Sequence, residues 1–384
     1  MKIVFDKLTL QNAISPLLCA IATNTSLPST EGIQIKTEDD GSCTLTSYDL
    51  TKGVRTKIKA EIYSGGNVII NAAKLSQIVK VMPGDITIDV DSNYKAKISS
   101  GKSEFSLSVL PGENFSPLPD LRGERGFEIS QDIFRKMINQ TLFAAAVADF
   151  RPQLNGVYCE ITKNKVLMVG CDSFKLAIKS AESDIENRSL NDEELNFKFI
   201  IPTKTLQELL RLMNKEKTVK VMMTIKHIIF FLEDVIFFSR LVDSDYLSYE
   251  RFIPTDIKAE CIVDRDAFLG SLERSSLITE DRAIGQEKSG VRLSVEANSL
   301  IVSSTSVSGS SFDEISSKNT GDLMKISFNC KYLLDTIRAT ECEKLRLSFS
   351  TPLTGMTIRP VLTEENDKND DFTFMVTPVR TKDL

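Results

Sequence analysis

Few side chains in this sequence could carry covalent or metal chemistry, and their spacing argues against it. There is one histidine, His227, together with seven cysteines (Cys19, Cys43, Cys159, Cys171, Cys261, Cys330 and Cys342) and no tryptophan. A single histidine removes any multi-histidine metal site and makes a Ser-His or Cys-His nucleophile depend on one residue. His227 lies in Met223-Thr224-Ile225-Lys226-His227-Ile228-Ile229, which reads as a turn between two strands rather than a catalytic base. The cysteines stand singly with no CxxC, the usage of reduced cytosolic thiols and not of a disulfide or zinc framework. Acid–base pairs remain conceivable at Asp49 with Lys52 and at Asp172 with Lys175. The comparable turn further on holds Thr305 and Gly309 instead, and aspartates so placed more often cap turns. GxxxxGK(S/T), GxGxxG and GxSxG are all absent, so phosphate-cradling loops and the hydrolase elbow are missing. The expectation is no catalytic residue, no metal and no cofactor.

The elements that must position whatever function remains come from 384 residues, 41% hydrophobic and 26% charged, enough for two to three domains. No apolar run approaches the ~20 residues of a membrane span. Asp6 and Lys7 interrupt any signal-peptide core near the start, so the reading places the chain in the cytoplasm.

Three markers recur along the chain. Gly32-Ile33-Gln34-Ile35-Lys36 has counterparts in Gly156-Val157-Tyr158-Cys159-Glu160 and Gly290-Val291-Arg292-Leu293-Ser294, the glycines 124 and 134 residues apart. Ile69-Ile70-Asn71-Ala72-Ala73-Lys74-Leu75 is matched by Ile200-Ile201-Pro202-Thr203-Lys204-Thr205-Leu206 and Ser327-Phe328-Asn329-Cys330-Lys331-Tyr332-Leu333. Each is a strand ending in Asn or Pro, then a helix with apolar residues three and four apart. Phe5-Asp6-Lys7-Leu8, Ile129-Ser130-Gln131-Asp132 and Val263-Asp264-Arg265-Asp266 open the units with a capped helix. Each unit reads strand, helix, antiparallel strands, helix, more strands, an α+β plan. The expected bounds are 1–123, 127–254 and 259–384, separated by the polar breakers Gly123-Glu124-Arg125-Gly126 and Pro254-Thr255-Asp256-Ile257-Lys258. The serine-rich run Ser303–Ser317 reads as a strand, a turn at Gly309 and a second strand.

Net charge is −6, yet the six expected helix windows hold 13 basic against 8 acidic residues. Cations concentrated on one class of element can face phosphates, loosely and without reading bases.

In these repeats the sequence resembles the bacterial DNA polymerase III β subunit family, the sliding clamps. Further matching stretches are Leu110-Pro111-Gly112-Glu113-Asn114-Phe115-Ser116-Pro117-Leu118-Pro119, Arg151-Pro152-Gln153-Leu154-Asn155-Gly156-Val157, Cys171-Asp172-Ser173-Phe174-Lys175-Leu176-Ala177 and Ser248-Tyr249-Glu250-Arg251-Phe252-Ile253-Pro254. The likeness runs from Met1 to about Arg380. It implies the DNA clamp fold: three repeated clamp domains, each two helices packed on antiparallel sheets, in a head-to-tail ring dimer whose helices surround duplex DNA. No chemistry is needed for that function.

The resemblance also implies sites. A hydrophobic pocket for short partner peptides, between the second and third repeats, maps to Leu154, Cys171, Ser173, Phe174, Lys175, Leu176, Leu247, Arg251, Phe252, Asn329, Tyr332, Leu353, Met375, Thr377, Pro378, Val379 and Arg380. DNA-facing cations map to Lys74, Lys80, Arg135, Lys136, Lys204, Arg211, Lys215, Lys217 and Arg338. The dimer interface maps to Lys74, Ile78, Phe105 and Leu107 facing Leu277 and Ile278. Implied partners are a second copy, sequence-independent double-stranded DNA, the polymerase III catalytic subunit, the clamp loader and other proteins with clamp-binding peptides. No membrane partner is expected. The chain departs from the family at Phe174-Lys175, where His-Arg or Tyr-Arg is common, and in its polar end after Thr377. Those departures keep an alternative open, a divergent paralogue serving repair or a specialised polymerase with altered partner preference.

Overall fold

The computed structural model describes residues 1–23, 25–190, 194–214, 217–279, 290–307, 309–362 and 371–379. The first repeat runs β1 (Lys2–Phe5), α1 (Lys7–Leu17), β2 (Gly32–Thr37), β3 (Ser42–Tyr48), β4 (Lys52–Lys59) and β5 (Glu61–Ser64). It continues with β6 (Asn67–Asn71), α2 (Ala72–Val81), β7 (Ile86–Val90), β8 (Lys95–Ser100), β9 (Ser103–Ser108) and β10 (Leu110–Pro111). The second has β11 (Arg125–Ser130), α3 (Gln131–Leu142), β12 (Gly156–Thr162), β13 (Lys165–Cys171), β14 (Lys175–Glu182) and β15 (Glu186–Asn187). Then come β16 (Asn196–Pro202), α4 (Thr203–Leu212), β17 (Thr218–Met223), β18 (His227–Leu232) and β19 (Val235–Arg240). The third has β20 (Ala259–Asp264), α5 (Arg265–Thr279), β21 (Val291–Val295), β22 (Ser299–Ser306) and β23 (Gly309–Gly321). It closes with β24 (Met324–Phe328), α6 (Cys330–Arg338), β25 (Lys344–Phe349), β26 (Met356–Pro360) and β27 (Phe372–Val376).

Local chemistry sets the helix starts. Asp6 Oδ1 accepts from the Thr9 amide at 2.7 Å, and Asp264 Oδ1 accepts from the Ala267 amide at 2.8 Å. Asn71 and Asn329 cap α2 and α6 through the amides of Lys74 and Lys331. The strand-then-Asn marker is thus a strand running directly into an N-cap. Inside each helix the three-and-four spacing faces the core, as with Leu75, Ile78 and Val79 of α2 and Leu333, Leu334 and Ile337 of α6.

Sheet order repeats as the sequence does. One layer reads β5-β1-β7, β15-β11-β17 and β23-β20-β25; the other reads β6-β2-β3-β4, β16-β12-β13-β14 and β24-β21-β22-β23. The last strand of one repeat then pairs antiparallel with the fourth-position strand of the repeat before it: β19 on β4, and β27 on β14. These two junctions fuse the layers into sheets of ten and twelve strands. Two compact units follow, Met1–Gln131 with Glu186–Glu193 and Gln207–Leu241, and Asp132–Ile185 with Glu194–Leu206 and Val242–Leu384. Each unit contains one junction, and the middle repeat supplies strands to both.

The repeated glycine has a packing reason. A Cβ on Gly32 would lie 2.3 Å from Ile69 Cγ2, and one on Gly156 would lie 2.6 Å from the Ile201 carbonyl oxygen. β2 and β12 therefore start against the strand that leads into the second helix, where no side chain fits. Gly156→Ala should destabilise the protein by about 2 kcal/mol, since backbone cannot yield as a side-chain tip can. A denaturation midpoint equal to the parent's would contradict that close approach.

Candidate functional site

The site is built around the turn into β14. Asp172 Oδ1 accepts from the amides of Phe174 (2.9 Å) and Lys175 (2.7 Å), so its carboxylate is a turn cap. Asp49 does the same for Thr51 and Lys52 in the first repeat. Both aspartates hold the turn that leads into the next strand. Between cap and strand, Ser173 has φ +77°, a left-handed backbone uncommon outside glycine, and Leu50 in the matching turn has φ +74°. The turn lifts Phe174 to the surface, half exposed, where its ring stacks on Tyr332 of α6 at 5.6 Å. The Thr377 amide donates to the Phe174 carbonyl at 2.9 Å, tying the end of β27 to the same turn.

Lys175 is 7% exposed. Its ammonium lies 3.4 Å from Asp172 and 3.8 Å from Asp335 of α6, and 5.1 Å from the Tyr332 ring centroid. It is a buttress under the aromatic pair rather than an exposed cation awaiting a ligand. Leu154, Cys171 and Leu176 are also buried, forming the floor with Val169 and Met375. Burial pushes the Cys171 thiol up, away from reactivity. Leu247, Tyr246, Tyr249 and Ile253 pack against that floor, and the Tyr246 hydroxyl donates to the Val169 carbonyl. Phe252 and Leu353 are exposed, and Arg251 is exposed beside Phe252. Asn329 is committed to capping α6. Pro378 bridges Phe328, and the Val379 amide donates to the Ser327 carbonyl at 2.8 Å. Arg380 lies outside the described residues.

Two residues with no role assigned from sequence complete the geometry. Arg151 forks onto Asp149 with its Nε (2.9 Å) and one Nη (3.0 Å), and that Nη reaches Ser173 Oγ at 2.6 Å. The only signal for this fork is an aspartate two residues before an arginine. Hydrogen bonds from the Arg151 side chain and then its amide hold the Asp149 carboxyl at about 2, below its ordinary 3.8. A depressed carboxyl stabilises the fold above its unfolded value and loses that contribution as pH falls through the folded one. The Asp149 carboxyl should therefore titrate near pH 2 by NMR; a midpoint near 3.8 would mean the fork is absent.

The other expected residues are placed less uniformly. Ile78 is 6% exposed on the core face of α2, where its spacing from Leu75 directs it inward. Lys74 and Lys80 are exposed on the opposite face. Phe105 and Leu107 lie on β9, which pairs only with β8 among the described residues. Leu277 is 70% exposed at the end of α5, and Ile278 is half buried. Phe312 on β23 is equally exposed and has no counterpart in the sequence reading. Lys204 and Arg211 are exposed on α4, Arg211 beside Glu208 at 3.1 Å. Lys217 lies past the end of α4 and pairs with Glu233, so it is not a helix cation. Lys215 is outside the described residues. Lys136 approaches Glu341 at 3.7 Å and Arg338 pairs with Glu273 at 3.0 Å, while Arg135 is partly buried. His227 begins β18, its amide donating to Thr224 Oγ1 across the turn. Among the described residues no cluster of three metal-ligating side chains exists, and no helix is long and apolar enough to cross a membrane.

Known proteins resemble this chain along its length. Profiles of the DNA polymerase III beta subunit match in three consecutive parts: its N-terminal domain over residues 1–119, its central domain over 128–247 and its C-terminal domain over 250–380. A beta sliding clamp of Bacillus subtilis (strain 168) is 30% identical, the match covering 99% of this chain and 100% of that one. Another beta sliding clamp, from Halalkalibacterium halodurans, is 27% identical over 99% and 100%. The solved DNA polymerase sliding clamp from Bacillus subtilis superposes with a TM-score of 0.90 at 30% identity, covering 99% of each chain. The DNA polymerase III subunit beta from Pseudomonas aeruginosa gives 0.88 at 25% identity over 99% and 100%.

Proposed function

This chain belongs to the DNA polymerase III beta-subunit family of sliding clamps, and from that premise we propose that two copies close head to tail into a ring around duplex DNA. One observation carries the ring. The junction of fourth-position strand with last strand occurs twice within the chain, β4 with β19 and β14 with β27. A third junction of the same kind would join β23 of one copy to β9 of another. Both edges are unpaired among the described residues, since β23 uses Gly309–Ser316 on β22 and only Ser317–Gly321 on β20. Unpaired edges this long invite a partner strand, and two such contacts close a ring in which neither of these edges is left free. Phe105 and Leu107 would then meet Leu277, Ile278 and Phe312.

The role is non-catalytic: the ring is a processivity factor that keeps a polymerase on its template in the cytoplasm. Exposed Lys74, Lys80, Lys204 and Arg211 would supply loose phosphate contacts, enough for a ring that cannot fall off. The partners are the polymerase III catalytic subunit, the clamp loader and other proteins presenting an apolar peptide to the Phe174–Tyr332 pocket. Relatives named beta sliding clamp match end to end, which favours the replicative role over a specialised paralogue.

Loading onto nicked circular DNA tests the reading. The protein should co-sediment with the circle after loading and be lost when the circle is cut. Neutralising Lys74, Lys80, Lys204 and Arg211 together should flatten the salt dependence of retention by about three to four log–log units. Equal retention on linear and circular DNA would overturn the ring.

A further inference from the structure

We propose, resting on the peptide-pocket reading above, that the partner surface extends past the pocket to Phe150, against which partner segments set one additional aromatic side chain. Phe150 is 89% exposed, more than any other described aromatic residue. An aromatic ring left so bare buries little within its own chain and gains by being covered.

The ring is also held in place. The Arg151 guanidinium carbon lies 5.0 Å from its centroid. That guanidinium is fixed in turn by Asp149 and by Ser173. The loop beneath is tied by the Asp149 amide to Asn155 Oδ1 (2.7 Å) and by Asn155 Nδ2 to the Asp149 carbonyl (2.8 Å). A platform ordered before binding loses little entropy when it is covered.

Continuity with the pocket comes through Ser173. It bonds Arg151 on one side and precedes Phe174, stacked on Tyr332, on the other. A segment lying over Phe174 and continuing past Ser173 toward Arg151 would reach Phe150. The occupant is an aromatic rather than an acidic residue, because Asp149 already neutralises Arg151.

The chain has no tryptophan, so Phe150→Trp introduces a single indole, excited selectively beyond the tyrosine band. The probes are tryptophan-free synthetic peptides: a core peptide with one Gln, two Leu and one Phe, and the same peptide lengthened by Gly-Phe at either end in turn. One lengthened peptide should bind the unsubstituted protein about fivefold more tightly than the core. Phe150→Ser should erase that gain and leave core-peptide affinity unchanged. The introduced indole should shift its emission with that lengthened peptide only. If both lengthened peptides bind like the core and the indole stays silent, the extension is wrong while the pocket stands. If the core peptide fails to bind the unsubstituted protein at all, the pocket reading falls and this proposal with it.

Discussion

Replacing Leu277 and Phe312 together with aspartate is expected to leave the protein monomeric at concentrations where the parent sediments as a dimer. Both side chains are 70% exposed in the single chain, so the fold loses almost nothing. In the proposed β23–β9 contact each carboxylate would be buried against Phe105 and Leu107 without a partner, at about 2–3 kcal/mol each. Association should weaken by at least a hundredfold, with circular dichroism and denaturation midpoint unchanged. Ile78→Ala supplies the contrast: about 3 kcal/mol of fold stability lost, with the association of the folded protein unaltered. Parent-like sedimentation of the double variant would place the interface elsewhere.

Val379→Asp should abolish peptide binding without changing the dimer. Its amide is bonded to Ser327 in any case, so backbone geometry can survive the substitution. The side chain lies against the backbone beside Gly290, where a Cβ would be 3.1 Å away. A carboxylate there would need hydration that an apolar peptide removes, and the loss should exceed a hundredfold. Leu353→Asp, on a freely exposed side chain, checks the same pocket with no risk to folding and should weaken binding about tenfold. Peptide titrations that agree for the parent and both variants would move the partner site away from this groove.

Much of the architecture was legible because its signals are short-range. Asp6, Asn71, Asp264 and Asn329 announce helix starts through side chains that bond amides two or three residues on. Asp49 and Asp172 announce turns in the same way, and Gly309 punctuates the serine-rich strands. The threefold order of strands and helices follows from these local rules repeated.

Charge was harder to read. Lys175 and Lys179 sit where strand alternation suggests solvated cations, yet they are 7% and 1% exposed. Lys175 is held by Asp335 from a helix 160 residues away in sequence, and Lys179 Nζ donates to the Asp371 carbonyl. Lys217 pairs with Glu233, which lies in the turn between β18 and β19. Whether a cation is free depends on neighbours that no local pattern names.

By itself, then, the sequence determined the repeat, the capped helices and the α+β plan, because each is written in residues a few positions apart. Tertiary structure decided that β4 takes β19 and β14 takes β27, that Ile78 turns inward, and that Arg151 locks Asp149 to Ser173. It also drew Phe174, Tyr332, Met375 and Leu353 into one unit. Those outcomes depend on which surfaces exclude water together, and that is a property of packing between segments far apart in the chain.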